Sequence, residues 1–147
     1  MIIREFSEQD IDEITSLMKS LCSMKMQEFD EDRWRANLEK SMKRDSNVGV
    51  FIAFDNDMNL VIGMAQCSVK NSDKGNRFGY ISNLIVKEEQ RRTGIGVQLM
   101  HHMIDYFKKN HIQSIRLALK TDLDRAAQLL FKKLGFQEIF RIFELDI

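Results

Sequence analysis

Cysteine is scarce in this 147-residue chain, and the two that occur, Cys22 and Cys67, lie far apart. They give no disulfide framework and lack a histidine signature for nucleophilic work, so free thiols in a reducing cytosol are the expectation. No apolar run approaches the roughly 18 residues of a membrane-crossing helix. The opening Met1-Ile2-Ile3-Arg4-Glu5 is not a basic-then-apolar signal pattern. Charge of one sign is lacking too: 22 basic and 22 acidic residues cancel, which gives no bulk electrostatic reason to expect nucleic acid. Metal-ligand spacing is missing, because His101 and His102 are adjacent and point to different faces of one helix. Proline is absent altogether, and nothing in the sequence explains it. The resulting expectation is a cytoplasmic protein with no metal, nucleic-acid or membrane partner.

What is present reads as one globular domain over residues 1–147, with 44% apolar and 30% charged residues. Its nine methionines suit core filling, or a pliable pocket. Ile2–Phe6 reads as a short strand. Ser7 caps a first helix, with Asp10 in the capping-box position and an apolar stripe of Ile11, Ile14, Leu17, Met18 and Leu21. Cys22–Phe29 reads as the loop to a second helix, which runs through Trp34 and Leu38 to about Lys43. Glu28, Asp30, Glu31 and Asp32 form an acidic cluster there. It suits a helix N-terminus or a subsite for a cationic amine, with Glu28 as the substrate-orienting candidate.

Strands follow at Asn47–Phe54 and Asn59–Val69, joined by the Asp55-Asn56-Asp57 turn; Gly63 hints at a bulge or a close backbone approach. After a turn at residues 71–76 come a strand at Tyr80–Val86, a helix to about Lys109 and a strand at Ser114–Leu119. Thr121, Asp122 and Asp124 offer caps to a last helix that Gly135 stops, and Phe136–Phe143 reads as the closing strand. The order β-α-α-β-β-β-α-β-α-β is that of an α/β domain with a mixed, mostly antiparallel sheet flanked by about four helices.

The stretch from Tyr80 to Phe107 carries the chemistry. An apolar strand leads into Arg91-Arg92-Thr93-Gly94-Ile95-Gly96 and then an amphipathic helix. Unpaired N–H groups at a helix N-terminus attract an anion, and glycines let it come close to the backbone. A pyrophosphate is the expected ligand. A Rossmann fingerprint lacks its third glycine here, since Val97, Gln98 and Leu99 follow Gly96, and no P-loop string occurs.

Arg91-x-x-Gly94-x-Gly96 in this setting resembles the acetyl-CoA signature of the GNAT superfamily of N-acetyltransferases. Leu129-Leu130-Phe131-Lys132-Lys133-Leu134-Gly135-Phe136 resembles that family's helix-ending string, and Asp124-x-x-Ala127 stands where the family usually has Asn-x-x-Ala. Ile2, Arg4, Phe6 and Asp10 resemble its common opening. The likeness covers nearly the whole chain. It implies acetyl-CoA as cofactor and acetyl transfer to a primary amine of a small molecule or peptide, by direct attack in a ternary complex.

By the same resemblance, Leu84, Ile85 and Val86 present backbone groups to the pantetheine arm, with a local bulge freeing an N–H for the thioester carbonyl. Arg92, Thr93, Gly94, Ile95, Gly96 and Val97 wrap the pyrophosphate, and Arg91 adds a charge-assisted hydrogen bond. Asp124 and Phe131 fall at further cofactor-binding positions, and Lys132 or Lys133 is a candidate for the ribose phosphate. The family's usual acid–base residues are replaced: Phe131 fills a frequent tyrosine slot, Ser82 or Asn83 a glutamate slot, and Leu119 another. Tyr80 is the remaining candidate acid, and Tyr80, Ser82 or Asn83 could hold a water that relays the amine proton. A CoA-binding sensor with reduced catalysis is the alternative. The resemblance also allows a homodimer.

Overall fold

The computed structural model describes residues 1–43, 48–91, 93–119 and 125–147. Five strands, β1 (Ile2–Glu5), β2 (Val48–Asp55), β3 (Leu60–Asn71), β4 (Arg77–Val86) and β5 (Ile115–Leu117), lie side by side in chain order. The first three pairings are antiparallel, and β5 joins β4 in parallel. A parallel pair needs a crossover, and α3 (Ile95–Lys109) supplies it. The other helices are α1 (Ile11–Met24), α2 (Glu31–Met42) and α4 (Arg125–Lys133).

Strand β2 shows why the sheet needs cover on both sides. Val50 and Ile52 pack under α1 with Ile14, Leu17 and Met64, whereas Phe51 and Ala53 pack under α3 with Leu99, Met103 and Phe107. The strand reads as a continuous apolar run because successive side chains alternate between two buried faces. Phe107 lies so close to β4 that a Cβ on Gly79 would sit 2.7 Å from its ring. Helix α2 is held on α1 by Trp34, whose Nε1 donates to Thr15 Oγ1 at 3.2 Å.

At the N-terminus, Ser7 and Asp10 form the anticipated capping box, around a short 3-10 turn that runs into α1. The Asp10 carboxylate accepts from Ser7 N at 2.7 Å and from Arg4 Nη1 at 2.8 Å. Burial alone would push this carboxyl up; the bonds from Arg4 and Ser7 outweigh it and hold the group below its ordinary value.

Several expectations are corrected. The register of β2 on β3 does slip beside Gly63, where a Cβ would also lie 3.1 Å from the Ile85 carbonyl. On β4, however, the bulge falls at Ser82, between Ile81↔Cys67 and Asn83↔Gln66, while Leu84, Ile85 and Val86 pair regularly. Strand β4 begins three residues earlier than the apolar pattern indicates, and β5 is three residues long instead of six. Phe136–Phe143 is not a strand. Its pattern suits one, but residues 137–147 make no backbone hydrogen bond among the described residues. Gly135 ends α4 as expected, with φ +95° and the Phe136 N–H returning to the Phe131 carbonyl at 3.0 Å.

Candidate active site

Strands β4 and β5 stay in register only at Gly79↔Ile115, Tyr80↔Arg116 and Ile81↔Leu117. Beyond that point β4 continues for five residues with β3 on one side and no described strand on the other. Alternate residues of a strand turn their N–H and C=O groups to opposite edges. The Val86 carbonyl is met by Arg91 Nε at 3.1 Å, which puts Val86 and, by the two-residue period, Leu84 on the open edge. Ile85 between them is buried with the α1 cluster.

The open edge leads to the N-terminus of α3. Gly94 caps that helix with φ +83°, a conformation in which an L side chain is strained. The Gln98 N–H makes the first intrahelical bond, to Gly94 O at 3.0 Å. The N–H groups of Ile95, Gly96 and Val97 therefore have no intrahelical acceptor. Helices α1 and α2 each carry acidic residues in their first turn and α3 carries none, so no carboxylate of its own offsets its positive end. A Cβ on Gly94 would meet nothing within 4 Å, and one on Gly96 only Val86 Cγ2 at 3.9 Å. The buried Ile95 side chain anchors the turn from below, while Thr93 is exposed and Val97 half-buried. Arg91 is exposed, and its Nη2 lies 3.6 Å from Met24 Sδ, tying this turn to the end of α1.

On the α1/α2 face of the sheet, Tyr80 and Asn83 flank the bulge. Asn83 Nδ2 donates to Gln66 Oε1 at 2.6 Å, and Lys70 Nζ sits 4.2 Å from the centre of the Tyr80 ring. Ser82 is exposed, with Oγ 3.4 Å from the Gln66 carbonyl. No described carboxylate or histidine hydrogen-bonds to Tyr80 or Asn83. Glu28 is exposed in the connection between α1 and α2. Its acidic neighbours have structural work: Asp30 caps α2 through the Arg33 N–H, and Glu31 pairs with Lys19 and Arg35.

Phe131 is buried under the α3 face, its ring 5.7 Å from that of Phe136. Arg92 and Asp124 lie outside the described residues, as do Thr121 and Asp122. Among the described residues no group of three or more potential metal ligands occurs. Cys22 and Cys67 are free and buried, and burial pushes the Cys67 thiol up to about 12, far from a reactive thiolate. Gln66 and Lys70 are site residues that the sequence reading passed over. Gln66 carries a signal, as the one polar side chain between Val61 and Cys67.

Fold and site together define an acetyltransferase-type α/β domain. The chain belongs to the acetyltransferase (GNAT) family, whose model matches residues 12–136. A probable acetyltransferase of known structure superposes with a TM-score of 0.83 at 21% identity, covering 100% of this chain and 98% of that one. A predicted acetyltransferase from Clostridium acetobutylicum, solved with acetyl-CoA, gives 0.79 at 21% identity, over 99% and 95% of the two chains. At such identities the likeness is one of fold. In sequence the chain is 30% identical over 71 residues to GCN5-related N-acetyltransferase 6, chloroplastic, of Arabidopsis thaliana; the match spans 48% of this chain and 24% of that protein.

Proposed function

We propose that this chain transfers an acetyl group from acetyl-CoA to a primary amine of a small molecule or peptide. The observation that carries the reading is the continuity of the open β4 edge with the bare N-terminus of α3. The edge fits the amide-bearing arm of CoA, and the free N–H groups of residues 95–97 fit its diphosphate. Bound acetyl-CoA supplies an activated thioester, and the chain's part is to hold it in line with the amine. Leu84 and Val86 offer edge hydrogen bonds, and Arg91 places positive charge beside the cradle. Tyr80, Ser82 and Asn83 hold a water that carries the amine proton away. A thiolate with an ordinary pKa near 8.5 leaves with little assistance near neutral pH, which suits a site without a strong acid. Two free, buried thiols favour a reducing compartment such as the cytoplasm.

Two observations favour a second reading, a CoA-binding sensor: Phe131 cannot donate a proton, and no described carboxylate or histidine bonds to Tyr80 or Asn83. Thiol release from acetyl-CoA, measured across a panel of amines, separates the two. Turnover on any amine supports the transferase. Tight CoA binding by calorimetry with no turnover on the panel supports the sensor, and absence of CoA binding overturns both.

A further inference from the structure

The apolar cover of the α1/α2 face is incomplete. On β3 and β4 the cluster beneath these helices ends at Met64 and Ile85. Toward the β3–β4 turn the face continues with Gln66 and Lys70 on β3, opposite Asn83 and Phe78 on β4, and Tyr80 lies between the latter two. Arg116 of β5 stands in register with Tyr80. Tyr80 and Asn83 are the groups around which the amine gives up its proton, so this floor adjoins the acceptor.

Two cations lie on it. Lys70 is paired with Phe78 in the ladder, yet its ammonium sits 4.2 Å from the centre of the Tyr80 ring. Arg116 is paired with Tyr80, yet its guanidinium lies 4.1 Å from the centre of the Phe78 ring. Both side chains thus lean diagonally onto β4, one from each neighbouring strand, and the ring faces restrain them. Neither has an acidic partner: the ion pairs among the described residues are those of Arg4, Lys19, Arg35 and Arg141. Covering two aromatic rings needs only apolar side chains, not charge of one sign at both. Two positioned cations with no carboxylate beside them suit an anion, and the planar guanidinium matches a carboxylate or a phosphate.

We infer that the acceptor is a small amine that also carries an acidic group, which Lys70 and Arg116 bind while the amine lies at Asn83. The inference rests on the acetyl-transfer reading and names its acceptor class. Spacing sets the length of that acceptor. Tyr80 and Asn83 are three residues apart on one strand, so at about 3.3 Å per residue the two groups stand roughly 10 Å apart. The same charges select against a polycationic amine, whose second ammonium would fall beside Lys70 and Arg116.

The test compares ω-amino carboxylates of graded chain length and ω-aminoalkyl phosphates with the diamine and the plain alkylamine of matching length, by thiol release from acetyl-CoA. The acids should exceed the plain amine in kcat/KM by at least about tenfold, through KM, and the diamine should be poorest. Either acid supports the inference, and the better one identifies the group as carboxylate or phosphate. Arg116→Gln and Lys70→Gln should each cut the preference severalfold, and Lys70→Glu with Arg116→Glu should turn it toward the diamine. A ring-covering role alone would move stability and leave the preference unchanged. Calorimetry of the same probes on the CoA-bound protein reads the anion site without turnover. Acid binding that the double substitution abolishes, with no turnover on any amine, upholds the anion site and overturns only acetyl transfer. Plain amine and diamine used as well as the acids, or a preference that survives the double substitution, overturns the inference while acetyl transfer stands. Acids that neither bind nor turn over also overturn it.

Discussion

Asn83 and Gln66 are bonded side chain to side chain at 2.6 Å, directly across the β3–β4 ladder and next to the bulge at Ser82. With Nδ2 donating to Gln66, the Asn83 Oδ1 is left as the acceptor of that amide. That is the polarity needed to receive a proton-bearing water or amine. Asn83→Ala is expected to lower kcat about tenfold with little change in CoA affinity, since only positioning is lost. Gln66→Leu should produce a smaller loss of the same kind, because Asn83 then keeps its oxygen but not its orientation. Steady-state kinetics check both, and a rise in the KM for acetyl-CoA without a fall in kcat would place the pair in cofactor binding instead.

Gly94 and Gly96 test the anion cradle. Gly94→Glu forces a side chain into a left-handed backbone, at about 1 kcal/mol, and adds negative charge beside free N–H groups. Gly96→Glu meets only the edge of Val86, so its effect is mainly electrostatic. Losing one charge-assisted contact is worth roughly 1.5–3 kcal/mol, so CoA affinity should fall about tenfold or more in either variant. Calorimetry on the folded variants provides the measurement, and unchanged affinity rejects the cradle.

The strand–turn–helix that bears this cradle was legible in the sequence because its signals are local. An apolar strand, paired glycines and the spacing of Ile95, Leu99, Met103 and Phe107 need no knowledge of neighbours. The bulge at Ser82 was not legible, since register belongs to two strands and only the partner β3 fixes it. The same reason explains Phe136–Phe143. Its residues favour a strand, but a strand exists only against another, and this segment pairs with none among the described residues. Gln66 was overlooked because its role depends on lying opposite Asn83.

The Arg4–Asp10 pair is expected to contribute to the acid limit of stability. The folded-state pKa of Asp10 lies below its unfolded value, so its contribution is complete above the unfolded pKa and is lost as pH falls through the folded one. Urea midpoints should hold near neutral pH and decline below about pH 4. Asp10→Ala leaves the Ser7 N–H and the Arg4 guanidinium without their acceptor, and about 2–3 kcal/mol should be lost at pH 7. The variant's acid decline should be correspondingly shallower. A decline identical to that of the native chain would assign the acid limit to other carboxylates.

Phe131 asks whether the departing thiolate needs a proton. Its ring is only 8% exposed and contributes to the core beneath α3, so Phe131→Tyr must accommodate a hydroxyl in largely apolar surroundings. A stability cost of about 1–3 kcal/mol is expected, short of unfolding. If the tyrosine oxygen reaches the cleft, it supplies the donor that the native side chain cannot. Thiol release should then rise severalfold, most clearly below the thiol pKa of about 8.5, where an unprotonated leaving group is least stable. The pH profile of kcat is therefore the informative measurement. A folded variant with an unchanged profile means that the thiolate leaves unaided, and that the barrier is set by how the amine is placed and deprotonated around Tyr80 and Asn83.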